Sequence, residues 1–103
     1  MLQVSSFFLR HLDLENGRLS LVAPSFDHDD FAVIGQKFVD LIDASVIEKQ
    51  QDADLHSWLI DFEGCQLMLR AEHYSEAMWL ESLSATESQP ELQFLASLVA
   101  KGI

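Results

Sequence analysis

One cysteine, two prolines and four glycines occur in the 103 residues, and Lys and Arg number 6 against 17 Asp and Glu, for a formal net charge of -11. Each shortage excludes something. The lone Cys65 can form neither an internal disulfide nor a multi-cysteine zinc site. So few glycines leave no phosphate loop or dinucleotide fingerprint, and the chain has no nucleophile elbow and no paired-histidine zinc motif. The basic residues Arg10, Arg18, Lys37, Lys49, Arg70 and Lys101 are scattered along the sequence. They form no basic run, so the phosphate neutralisation that dominates nucleic-acid affinity has no local source. Nucleic acid and anionic membrane surfaces are therefore poor partners. No stretch approaches the ~20 apolar residues of a membrane helix, and no basic, apolar and small-residue leader opens the chain. The expectation is a cytoplasmic protein.

What is present is apolar residues, 49% of the chain and spread throughout it, enough to offset the entropy of ordering one small domain over residues 1–103. Leu12-Asp13-Leu14-Glu15-Asn16-Gly17-Arg18-Leu19-Ser20-Leu21 alternates on both sides of Asn-Gly, which predicts a two-residue hairpin with Glu15 facing Arg18, Leu14 facing Leu19 and Leu12 facing Leu21. Asp27 is placed to cap a helix with Asp29 and Asp30 in its first turn, and Phe26 with Phe31 forms its hydrophobic staple. Phe31, Ile34, Phe38, Leu41 and Ile42 then recur at helical spacing. Ser45 to Asp54 is polar and reads as a loop.

Beyond it, Trp58, Ile60 and Phe62 alternate with Leu59, Asp61 and Glu63. Gly64 turns the chain, and Cys65, Leu67, Leu69 and Ala71 alternate with Gln66, Met68, Arg70 and Glu72. Residues 77–81 read as a fifth strand, with a short helix as the alternative. Ser88-Gln89-Pro90-Glu91 is a capping box ahead of Leu92, Phe94, Leu95, Leu98 and Val99. The fold class is α+β: an antiparallel sheet of about five strands in the order ββαβββα, with two helices on one face.

Two polar groupings could carry chemistry. Asp27-His28-Asp29-Asp30 holds metal-ligand types, but carboxylates at a helix start are favoured by unpaired backbone N–H groups and the helix dipole, and adjacent residues point apart. Asp52, Asp54 and His56 would share one face of an extended chain and could serve a metal or a proton transfer, and His73 with Glu72 or Glu76 joins them only if the folded sheet brings them alongside, which spacing does not show. A solvated strand edge accounts for them more simply. Cys65 sits at an inward strand position, where a thiol behaves as a small hydrophobe, and none of the four histidines His11, His28, His56 and His73 is paired with a nucleophile in sequence. No cofactor is implied.

The aromatic and aliphatic residues are more suggestive. Strands three to five carry large apolar residues on both faces, so helices on one face leave Leu59, Met68 and Trp79 on the other, and an uncovered apolar patch marks an interface. The run Trp58-Leu59-Ile60-Asp61-Phe62-Glu63-Gly64, the strand from Cys65 and Met78-Trp79-Leu80-Glu81 together resemble an uncharacterised family of small bacterial proteins, a domain of unknown function. That resemblance implies a bacterial cytoplasmic α+β protein and supplies no active-site residue. The leading expectation is a non-enzymatic interaction module that binds a second copy or a basic protein partner. A small metal-dependent or acid–base enzyme using Asp52, Asp54 and His56 is the competing class, and an acidic mimic of nucleic acid is a third.

Overall fold

The computed structural model describes residues 5–27, 29–84 and 87–103. They form β1 (Phe8–Asp13), β2 (Arg18–Val22), α1 (Phe31–Leu41), β3 (Ser45–Asp52), β4 (Leu55–Phe62), β5 (Cys65–Glu72), β6 (Ala77–Ser82) and α2 (Gln89–Ala100). All six strands join one antiparallel sheet in the order β1-β2-β6-β5-β4-β3. The α+β class holds, with six strands where about five were expected.

The extra strand is the polar segment read as a loop. β3 pairs with β4 from Ser45↔Asp61 to Asp52↔Leu55, and all of it but Val46 is exposed. An edge strand of this kind is held by backbone bonds on one side only, so its side chains need carry no alternating apolar signal. Ile47 bulges out between Val46 and Glu48, and Lys49 lies over the Trp58 ring at 4.2 Å; both features blunt the edge against further pairing. Residues 77–82 are a strand and not a helix, inserted between β2 and β5.

The first hairpin has a different register from the one expected. Leu12 faces Leu19, Asp13 faces Arg18 and Leu9 faces Leu21, leaving a four-residue loop, Leu14 to Gly17. Asp13 decides this: its carboxylate accepts hydrogen bonds from the Asn16 backbone N–H at 3.2 Å and from Asn16 Nδ2 at 2.8 Å. Gly17 takes the left-handed conformation at φ 65°. Asn-Gly therefore ends a longer turn instead of forming a two-residue one. At Glu63-Gly64 the tight turn is real, with Phe62 paired to Cys65 and both turn residues at positive φ, 52° and 84°.

One face of the sheet is the core. Trp58, Ile60 and Phe62 of β4, Leu67 and Leu69 of β5, Leu80 of β6 and Leu19 of β2 are buried there with Phe31 and Phe38 of α1 and Leu92, Leu95 and Val99 of α2. α1 lies on Trp58 through Gly35, where a Cβ would stand 2.9 Å from the indole. The staple forms, with Phe26 and Phe31 rings 5.4 Å apart.

The expected caps are altered. Asp27 Oδ1 accepts from the N–H groups of Asp29 and Asp30, both at 2.9 Å, but these acids form the turn before α1, whose first turn carries no acid. His28 lies outside the described residues. The Ser88 capping box does not form: the buried Ser88 hydroxyl instead accepts from the Cys65 thiol at 3.2 Å.

The two N–H groups, with Asp30 first, hold the Asp27 carboxyl below its ordinary value of 3.8. A carboxyl depressed in the folded state stabilises above its unfolded value, and the contribution disappears as pH falls through the folded value. Asp27→Asn is accordingly expected to melt lower than the parent protein at pH 7, with the gap closing below about pH 4. Melting curves from pH 7 to pH 3 check this, and a gap independent of pH would mean that the charge contributes nothing.

Candidate interaction surface and polar clusters

Alternation along β4, β5 and β6 sends Leu59, Met68 and Trp79 to the face opposite the core, and each is half-buried. Leu59 and Met68 are direct cross-strand neighbours. Trp79 pairs with Arg70 and Met68 with Glu81, so these four residues make a square. Across one diagonal Arg70 Nε meets Glu81 Oε2 at 3.4 Å; Trp79 and Met68 occupy the other. Trp79 Nε1 donates to Glu81 Oε1 at 2.9 Å, and the Arg18 guanidinium lies 4.3 Å from the indole centre. The centre of this face is thus apolar area crossed by internally compensated charge, not the unbroken hydrophobic patch that the sequence suggests. Leu83, 54% exposed, joins Leu59, Met68, Glu48, Gln50 and Ser57 around a groove of about 260 Å³.

The Asp52, Asp54 and His56 grouping is taken apart by the fold. A turn at Ala53, φ 52°, separates Asp52 from Asp54, so the chain is not extended across the set. Asp52 ends β3 in solvent, while His56 points into the core 4.8 Å from the Phe31 ring. Asp54 instead meets His73, Oδ1 to Nε2 at 3.4 Å, and the His73 ring lies 6.3 Å from His56. Of the three, Asp54 is the one that the fold brings into a pair with His73. Among the described residues no three His, Cys, Asp or Glu side chains are grouped to hold a metal ion.

Cys65 packs against the core, and burial pushes its thiol above the ordinary value, which lowers its thiolate fraction near neutral pH. His11 is exposed opposite Ser20 on the outer hairpin.

Sequence reading missed the arrangement of the arginines. Arg10 and Arg18 come together beside Trp79, with Ser20, Ser75 and Glu76, around a pocket of about 250 Å³. No local run announces it, because the hairpin and the β2–β6 pairing assemble it from distant segments.

These features define a small α+β protein built on one antiparallel sheet, with helices on one face and a half-apolar second face whose centre holds the Arg70–Glu81 pair. Among the described residues no helix is long and apolar enough to cross a membrane. The chain belongs to the family described as protein of unknown function DUF3630, whose sequence model matches residues 7–100. No curated protein and no solved structure gives a significant match.

Proposed function

We propose that the protein is a non-enzymatic interaction module that pairs with a second copy of itself through the helix-free sheet face. The observation that supports this reading is the charge balance at the centre of that face. In a chain of net charge -11, Arg70 and Glu81 neutralise each other beside half-buried Leu59, Met68 and Trp79. Interface cores are depleted in unpaired charge and enriched in Trp, Met and Arg. Two copies repel at long range, so they can meet only where each presents compensated charge. Pairing there leaves the acidic surface outward, facing any basic partner.

Light scattering after size exclusion is expected to find a dimer that strengthens with salt, because salt screens the repulsion between copies. Met68→Glu places a carboxylate of each copy at the centre of the contact, where juxtaposed like charges cost several kcal/mol, and should weaken pairing by at least about 100-fold. Circular dichroism of the variant should match that of the parent protein, since Met68 faces away from the core. A monomeric parent protein at high concentration, or a Met68→Glu dimer of unchanged affinity, would sink the proposal.

A further inference from the structure

The pocket lined by Arg10 and Arg18 stands apart from the electrostatics of the rest of the chain. Among the described residues neither arginine is in an ion pair, although the chain carries 17 acids. Arg70, on the same face, is engaged by Glu81 at 3.4 Å.

Each arginine is placed by a specific feature of the fold. Arg10 occupies the bulge between Leu9 and His11, a distortion that re-aims a side chain out of the regular alternation. Arg18 lies over the Trp79 ring, its guanidinium carbon 4.3 Å from the ring centre, and the indole is itself tied down by its 2.9 Å bond to Glu81. A guanidinium held over an aromatic face keeps N–H groups with which to donate. Ser20 adds a hydroxyl to the same lining, while the Ser75 hydroxyl donates to Glu72 Oε1 at 3.4 Å. Glu76 is the lining's one carboxylate, so the lining itself is net positive, with Asp13 and Glu81 flanking Arg18 across the strands.

We infer that this pocket binds an oxyanion, the phosphate or carboxylate group of a small anionic molecule, with Arg10 and Arg18 as paired donors and the Ser20 hydroxyl beside them. Guanidiniums suit such groups because their planar N–H forks match two oxygens at once. The volume of about 250 Å³ falls below the roughly 300–1,000 Å³ of pockets for drug-sized ligands. It therefore fits one anionic group with a few attached atoms and not a nucleotide cofactor.

The test is an amide NMR titration of the whole chain with inorganic phosphate, with acetate, and with chloride at matched ionic strength. Saturable shifts confined to Arg10, Arg18, Ser20 and residues 75–79, including the Trp79 indole, are expected from phosphate or acetate and not from chloride. The stronger of the two identifies the ligand as a phosphate or a carboxylate. Arg10→Gln and Arg18→Gln should each weaken binding by at least about ten-fold, the loss expected for a hydrogen bond to a charged group. Arg70→Gln should leave the affinity within two-fold of the parent protein. Should Arg18→Gln disturb β2, Arg10→Gln at the exposed bulge carries the test alone.

Equal shifts with chloride, shifts as large at Lys37 and Lys101, or binding unchanged by Arg10→Gln would overturn the assignment. Because Trp79 belongs to both surfaces, the titration is repeated on the Met68→Glu monomer; a flat response to both anions in the parent protein and in that monomer alike would remove this pocket and leave the sheet-face reading intact.

Discussion

Phe31→Ala is expected to lower stability by about 3–5 kcal/mol, a large part of the roughly 5–15 kcal/mol of a domain this size. Phe31 opens α1, is fully buried and touches three rings: Phe26 at 5.4 Å, His56 at 4.8 Å and Trp58 at 5.1 Å between centroids. Its removal takes away the transferred area of one ring and opens a cavity that rigid aromatic neighbours cannot collapse to fill. It also breaks the staple with Phe26 that sets how the chain enters the helix. Urea unfolding at fixed protein concentration should show an earlier midpoint with an unchanged slope. Phe31→Leu, which keeps most of the volume, should cost distinctly less. A loss below about 1 kcal/mol for Phe31→Ala would mean that α1 is not seated on β4 as described.

Gly35→Ala is the second large effect, and its sign makes it informative. On an exposed helix this substitution stabilises by about 1 kcal/mol, because alanine loses less backbone freedom on folding. Here the new Cβ would stand 2.9 Å from Trp58 Cη2 and 3.0 Å from Phe31 Cζ. Neither atom belongs to a flexible tip: Trp58 is 3% exposed and Phe31 is fully buried. Overpacking of this kind costs about 1–3 kcal/mol and forces the helix to lift from the sheet. The net change is therefore a loss of stability, read as a lower thermal midpoint. A higher midpoint in Gly35→Ala would show that α1 rides clear of Trp58.

Residues whose pattern reports their own burial were legible. Trp58, Ile60 and Phe62 on one strand and Leu67, Leu69 and Ala71 on the next face the core as their alternation requires. Phe31 and Phe38 are buried as helical spacing requires. The same alternation placed Leu59, Met68 and Trp79 on the opposite face. Illegible features depended on partners that local sequence does not specify. β3 is a strand because β4 lends it hydrogen bonds, and no side chain on it needs to record that. The hairpin register moved because the Asp13 carboxylate found Asn16, a competing side-chain bond that outweighs the Asn-Gly preference. Ser88 gave its hydroxyl to Cys65 instead of to its own helix, a choice made across 23 residues of chain.

The sequence by itself determined most of the side chains that leave water, since strand and helix periods follow from local backbone geometry, although Leu41 and Phe94, on the same helical spacing as their buried neighbours, stay 42% and 52% exposed at the rims of their helices' buried faces. It also determined the acidic surface and the want of any catalytic motif. Only the tertiary structure decided that β6 lies between β2 and β5, that Asp54 meets His73 while Asp52 and His56 part, and that Arg10 and Arg18 converge beside Trp79. Those outcomes follow from which strands pair, and backbone hydrogen bonds between distant strands are nearly indifferent to the side chains they bring together.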